Sequence, residues 1–326
     1  MGVAESPLIS LIVSCYNHEQ FVAEAIGGVL SQTYRPLEII ILDDCSTDRT
    51  ADIVRAKLAE RPDRLDIRLV RNPVNVGTRG NLQRGISLTT GAFIAVACGD
   101  DILGAEAVSE VARVWREENV TLVAANADYI DADSQPLGRT YRDPQGRADD
   151  SFETIARDGV NACCFGPFLC FERELYDTFG CPAELEVFDI IAPFYAYLLK
   201  GARFIDKPLI KYRVHGGNTS HSLIAERLSG IDRLSAEEHM KSIHLAHAVH
   251  ARDTVLRLSN EQPERYQEVK DRIWPLLDIW LWESARKFAN ARAELNQMRR
   301  ATEKQATGRN RLGRSIAKFI RQLKGR

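Results

Sequence analysis

The sequence predicts an α/β protein: a mostly parallel central sheet flanked by helices, followed by an all-helical C-terminal extension. Three observations predict it. From Pro7 to about Asp131, short apolar runs alternate with amphipathic stretches of helical period, the arrangement that buries a parallel sheet on both faces. Three of those runs end on conspicuously polar segments, SCYN, DDCSTD and GDD. From Leu223 onward the pattern is helical almost throughout and carries no strand signal.

The strand candidates are LISLIVS, LEIIILD, LDIRLV, AFIAVA and TLVAANADYI. Between the first two, Phe21, Val22, Ile26, Val29 and Leu30 recur at helical spacing, with Asn17 as the candidate N-cap and Gln20 three residues on. Val108, Val111 and Trp115 mark the helix that follows the GDD segment. Residues 132–150 are polar and rich in Gly, Pro and Asp, and read as a long loop. The expected organisation is therefore a sheet-bearing domain over 1–222, made of a first half (1–131) and a second half (132–222). A helical extension over 223–326 follows, with WPLLDIWLWE as its most apolar piece.

With 326 residues and 44% hydrophobic content, the chain can build a sizeable core. Its seven cysteines are odd in number, lack C-x-x-C spacing and sit mostly in apolar surroundings, as free thiols in a reducing, cytoplasmic compartment do. Cys163 and Cys164 read as buried structural thiols. The N-terminus has no basic region followed by an apolar run, and charges interrupt every window long enough to span a bilayer. Neither secretion nor membrane spanning is expected. The formal net charge of -2 conceals a basic tail, because residues 299–326 carry ten Lys or Arg against the single acid Glu303.

In open parallel sheets, ligands bind beyond the carboxyl ends of the strands. Asp43 and Asp44 close the second strand there, and Ser46, Thr47 and Asp48 can cap a helix beginning near Thr50. A dinucleotide site is excluded because the first turn, SCYNHEQF, lacks the G-x-G-x-x-G that lets a pyrophosphate approach. The same turn is not the Gly-rich, Lys-bearing loop that a nucleotidyltransferase needs. Asp100 and Asp101 bring two carboxylates together at the end of an apolar strand. A hard divalent cation relieves their repulsion and keeps coordination sites for substrate phosphates. The competing reading is that one of them caps the next helix.

PLISLIVSCYN, EIIILDDCSTDRT, NPVNVGTRGNLQRGI, GAFIAVACGDD and KPLIKYRVHGGN, in that order, span about residues 7–222. In these motifs the chain resembles the family 2 glycosyltransferases of the GT-A (Rossmann-like) fold, inverting enzymes of bacterial surface-polysaccharide synthesis. The resemblance implies that Asp43 or Asp44 contacts the base and ribose of a nucleotide sugar, and that Ser14 and Tyr16, with Asn17 beside them, line the base pocket. Arg79 and Asn81 fall in its donor-site loop. Asp100 and Asp101 stand in its metal motif for Mn2+ or Mg2+, with Cys98 where many members carry the first Asp. His215 lies by the donor diphosphate and can supply an imidazole to the metal, and Arg213 suits the diphosphate itself. Aligning FIDKPL places Asp189 on the family's general base and Phe188 on the acid before it; Glu186 is the fallback. Phe188 and Cys98 also motivate the alternative of a non-catalytic nucleotide-sugar binding or scaffold protein.

His244, His247 and His250 recur every three residues, a spacing that walks around a helix and is not expected to hold a metal. In the tail, Leu312, Ile316, Phe319, Ile320 and Leu323 form one stripe, with Arg314, Lys318, Arg321 and Lys324 mostly elsewhere. Such a helix can lie on an anionic inner leaflet and bring the enzyme to a glycan or lipid-linked acceptor. It can equally pack on a neighbouring helix. No nucleic-acid partner is expected, since only Phe319 interleaves the basic run. The Trp280 and Trp282 region is a candidate homo-oligomer surface.

Overall fold

The computed structural model describes residues 6–60, 65–142, 167–183, 185, 188–218 and 229–324, with side-chain surroundings through residue 300. Nine strands form one sheet: β1 (Ile9–Cys15), β2 (Leu37–Asp43), β3 (Asp66–Arg71), β4 (Phe93–Cys98), β5 (Ile102–Leu103), β6 (Leu122–Ile130), β7 (Pro136–Thr140), β8 (Phe168–Glu172) and β9 (Ala202–Arg213). The helices among the described residues are α1 (Val22–Leu30), α2 (Thr50–Ala59), α3 (Gly77–Ser87), α4 (Ala107–Glu118), α5 (Arg173–Phe179), α6 (Phe188–Leu198), α7 (Gly230–Glu261) and α8 (Pro263–Lys324).

The strand order is β3-β2-β1-β4-β8-β6-β9-β5, with β7 paired to β6. β3, β2, β1 and β4 are mutually parallel, and so are β6 and β9. β8 runs antiparallel between β4 and β6, so β6 and β9 keep the direction of β1. β2 is buried at every position, which is why its centre, Ile39–Leu42, is a continuous apolar run without alternation. In-register pairing of Cys15 with Asp43 and of Ser14 with Cys98 gathers three strand ends at one edge.

That register is pinned from below by a buried carboxylate. Glu38 accepts hydrogen bonds from Ser10 Oγ at 2.6 Å and from the Gly91 backbone N–H at 2.8 Å. Burial opposes its charge, but the bonds from Ser10, Thr90 and Gly91 hold its carboxyl below the usual range. On one face, α1 buries Val22, Ala25, Ile26, Gly28 and Val29. A Cβ at Gly28 would stand 2.7 Å from the Leu103 carbonyl oxygen, so glycine lets α1 rest directly on β5, next to the double aspartate.

Two local expectations differ from the structure. Asn17 does not cap α1, which begins at Val22; it takes a left-handed φ of 54° in the preceding loop. Residues 132–150 are not loop throughout, because β7 adds an exposed strand to β6. Helices α7 and α8 form the all-helical C-terminal extension. The chain forms two compact units, Met1–Gly217 with Ala246–Trp280, and Asn218–Leu245 with Leu281–Arg326.

Within the first unit, the Tyr195 hydroxyl lies 2.7 Å from His250 Nε2, and Trp280, 2% exposed, packs its ring 6.0 Å from that of Phe194. The second unit is helical, with same-helix pairs such as Arg233 with Glu237 and Arg286 with Glu283. No helix among the described residues is long and apolar enough to cross a membrane.

Candidate active site

The carboxyl ends of β1, β2 and β4, joined by the end of β9, build the site. At β2, Asp44 accepts hydrogen bonds from Asn72 Nδ2 (2.7 Å) and from the backbone N–H groups of Val76 and Gly77 (2.9 Å each). Asn72 Nδ2 also donates to Asn81 Oδ1 at 2.9 Å, and Asn81 Nδ2 donates to Ser14 Oγ at 2.7 Å. Asp44, Asn72, Asn81 and Ser14 are thus one buried polar relay that clamps the start of α3 over the end of β1. Asp43 pairs with Arg71 Nε at 3.0 Å, while its fully buried Oδ1 has no hydrogen-bond partner.

The two loops beyond β1 and β2 zip together. Asn17 Oδ1 accepts from the Thr47 N–H (2.8 Å), and the N–H groups of Asn17, His18 and Glu19 donate to Ser46 Oγ, Thr50 Oγ1 and Asp48 Oδ2. Asp48 Oδ1 also receives the Thr50 N–H at 2.9 Å, which braces the start of α2, although the N-cap residue is Arg49 and its side chain makes no capping bond. Tyr16 is left 44% exposed beside this seam. Arg79, on α3, is half-buried and lies close enough to Cys181 to favour its thiolate, against a burial that pushes that thiol up to about 11.

At β4 the two aspartates have unlike surroundings. Asp100 Oδ2 stands 3.1 Å from His215 Nε2 and 3.8 Å from His18 Nε2. Burial alone would raise its carboxyl, but the His215 hydrogen bond and the two imidazoles bring it below its ordinary value. Asp101 Oδ1 accepts the Arg213 backbone N–H at 2.9 Å. Burial, and then the charge of Asp100, push the Asp101 carboxyl well up. His215 Nδ1 accepts the Gly217 N–H at 3.2 Å, so a neutral ring carries its proton on Nε2 and presents it to Asp100. His215 therefore orients Asp100 in this arrangement. Burial lowers His18 in turn, which favours its neutral ring.

Arg213 departs most from the expectation. Its side chain is 1% exposed and its guanidinium is committed to protein: Nε to the Asp100 carbonyl (2.8 Å), Nη1 to Ser134 Oγ (2.8 Å), Nη2 to Glu24 Oε2 (2.6 Å). It stacks 4.9 Å from the Phe21 ring, which in turn packs 4.4 Å from His215. Rather than reaching a diphosphate, Arg213 is the strut that ties α1, the 131–134 turn and the aspartates together.

Asp189 is the second residue of α6, with its Oδ1 buried and without a hydrogen-bond partner. Burial pushes its carboxyl up to about 6, partly countered by the N–H groups of Asp189 and Ile190. It lies near enough to Cys98 for its charge to raise that thiol. Phe188 is core, packed edge-on against Phe171 at 5.6 Å, so the position where an acid was expected is filled by an apolar contact. Glu186, the fallback, lies outside the described residues, as do Cys163 and Cys164.

One group of three residues able to hold a metal occurs among the described residues: Cys98, Asp100 and Asp101, whose ligand atoms lie within 4.8 Å of one another. The His244, His247 and His250 series is not part of it. Sequence reasoning missed His18, Phe21, Glu24 and Asn72. Asn72 sits inside a quoted motif, but nothing in the local pattern of α1 marks Glu24.

An open sheet that gathers carboxylates at the ends of β2 and β4, with a further acid at the start of a neighbouring helix, defines a transferase of the GT-A type. Residues 10–180, just over half of the chain, match the family model described as Glycosyl transferase family 2, and the protein belongs to that family of enzymes. An uncharacterised glycosyltransferase of Nostoc sp. is 25% identical over 83% of this chain and 86% of its own. Among solved structures, S. aureus TarS 1–349 in complex with UDP-GlcNAc superposes with a TM-score of 0.55 at 16% identity, over 90% of this chain and 92% of that one. Mannosyltransferase PcManGT from Pyrobaculum calidifontis, in complex with GDP-Man and Mn2+, gives 0.53 at 16% identity over 90% and 88%.

Proposed function

We propose that the protein is a metal-dependent inverting glycosyltransferase that moves a sugar from a UDP- or dTDP-type donor to a hydroxyl of a glycan or lipid-linked acceptor in surface-polysaccharide synthesis. The observation that carries this reading is that Asp100 and Asp101 at the end of β4 and Asp189, a buried carboxyl raised to about 6, all lie near enough to Cys98 for their charges to act on it. An acid with that affinity for protons is suited to general-base work near neutrality. Asp189 takes the proton of the acceptor hydroxyl as that oxygen bonds to the anomeric carbon. The bond from that carbon to the donor phosphate breaks on the opposite side, and the nucleoside diphosphate leaves.

The residues at β4 fit a divalent cation. Two adjacent buried carboxylates stand there, and burial and then the charge of Asp100 push Asp101 up, although the Arg213 guanidinium, which also pairs with Glu24, partly offsets this. Asp100 and Asp101 would hold Mn2+ or Mg2+, with His215 alongside Asp100. When bound, the ion offsets charge developing on the departing diphosphate. Tyr16 and Ser14 face the base, with Asn17 bracing their loop; Asp43 or Asp44, Asn81 and Arg79 complete the donor side. The PcManGT complex, with its GDP-Man and Mn2+, supports a metal-dependent donor site on this fold, and the TarS complex supports a uridine donor.

The basic tail, 299–326, is assigned to peripheral contact with the anionic inner face of the plasma membrane, which places the enzyme in the cytoplasm beside a lipid-linked acceptor. Trp282, 62% exposed, is the remaining candidate for homo-oligomer contact, since Trp280 is buried.

The test is a panel of UDP-, dTDP- and GDP-sugars incubated with the protein and either Mn2+ or Mg2+, read as nucleoside diphosphate release and as thermal shift. Metal-dependent release, even the slow hydrolysis of a donor without acceptor, supports the enzyme. Binding without turnover for any sugar would favour the non-catalytic alternative, and neither binding nor release would remove the proposal.

A further inference from the structure

Cys98 closes β4 opposite Ser14 and is exposed, whereas Cys15, Cys170 and Cys181 are buried and Cys45 partly so. Its sulfur and one oxygen from each of Asp100 and Asp101 lie within 4.8 Å of one another. Ligand atoms that share one ion stand up to about 4.5 Å apart, with bonds of ~2.3 Å to sulfur and ~2.2 Å to oxygen. A small side-chain adjustment therefore brings all three onto one cation. The thiol has an open side for the ion's approach and two carboxylates to share its charge.

On the reading that a divalent cation sits at the end of β4, we infer that Cys98 is a third protein ligand of that ion and biases the site toward thiophilic cations such as Co2+, Zn2+ and Cd2+ over Mg2+. Thiolates select softer ions, whereas Mg2+ demands an octahedron of oxygens. The step balances simply: the Cys98 thiol gives its proton to solvent, and the thiolate sulfur forms the bond to the cation. An Asp at this position would give an all-oxygen site instead.

The experiment uses the metal-free full-length protein titrated with Co2+, with Mg2+ as the oxygen-only control. A sulfur-to-cobalt charge-transfer band in the near ultraviolet is expected for the wild type and absent from Cys98→Ser. The variant should bind Co2+ on the order of tenfold or more weakly, while Mg2+ affinity changes little. Should Cys98→Ser fail to fold, the wild type alone suffices, because alkylation of Cys98 by iodoacetamide, followed by peptide mass spectrometry, should be blocked by Co2+ and not by Mg2+. Co2+ binding with neither the band nor protection overturns the role of Cys98 and leaves the cation site standing. Binding of neither ion overturns the cation site itself, and this inference with it.

Discussion

Replacing Asp189 by Asn separates two effects that the structure ties to one carboxyl. Burial raises Asp189 from 3.8 to about 6, and a shift of that size opposes the charged form by on the order of 3 kcal/mol. The folded state therefore holds this proton more tightly than the unfolded chain. Stability falls as pH rises through the window from 3.8 to about 6, and above it the full penalty is present. Asp189→Asn carries no such penalty, so its thermal stability relative to wild type should improve from pH 4.5 to pH 8. The gain is capped at about 3 kcal/mol, or several degrees in Tm for a domain of this size. It will fall short of that cap, because the amide introduces N–H donors where the carboxylate had none.

Activity should move the other way. Wild-type kcat/KM for transfer should rise with an apparent pKa near 6, and Asp189→Asn should lose about 10²–10⁴-fold, the share that a positioned base supplies. Nucleotide binding should survive the change, as measured by calorimetry. A Tm difference that stays constant from pH 4.5 to pH 8 would refute the burial argument. Full turnover by the variant would move the base elsewhere, with Glu186 first in line.

Asp44→Ala removes the shared acceptor of the Asn72 amide and the Val76 and Gly77 N–H groups, leaving Asn72 its bond to Asn81 and Gly77 its bond to Asn75. A loss of about 3 kcal/mol in urea unfolding is expected, with weaker nucleoside diphosphate binding; an unchanged midpoint would mean the clamp is not needed. Arg213→Met leaves carbonyls and the Ser134 hydroxyl without their donor and should cost about 3–5 kcal/mol. Arg213→Lys should restore little of it, because an ammonium cannot span the same fork of partners, and a wild-type melting curve for the Lys variant would contradict this. A chain ending at Met298 should float with anionic liposomes less than the full chain, by on the order of 1 kcal/mol per basic residue lost, and the difference should shrink in high salt. Equal flotation would assign the tail to protein packing.

The parallel core was legible because β1, β2, β4 and β6 are buried on both faces and so read as unbroken apolar runs. Their polar ends pointed to the site for the same reason, since nothing in a core strand explains Asp43, Asp44, Asp100 or Asp101. The antiparallel insertions were not legible. PLGRT of β7 is exposed along nearly its whole length and carries no alternation, and FLCFE of β8 is five residues from a region with no repeating signal. Individual roles in the site failed where contacts are distant in sequence: Glu24 meets Arg213 across 189 positions, and His18 meets Asp100 across a loop that the pattern assigned to capping.

Those distant contacts explain why the aspartate pair is not simply neutralised by its neighbours. Arg213 donates its backbone N–H to Asp101 and its Nε to the Asp100 carbonyl, while its two terminal nitrogens bond Glu24 and the 131–134 turn, so its charge offsets Asp101 in part. His215 and His18 keep Asp100 ionised without supplying a full charge when their rings are neutral. Asp101 is thereby left to prefer a proton. A cation that displaces that proton gains both carboxylates at once, whereas a permanent Arg–Asp pair would have filled the place. The Glu24–Arg213 pair, 2.6 Å long, thus takes up part of the positive charge that would otherwise face the aspartates.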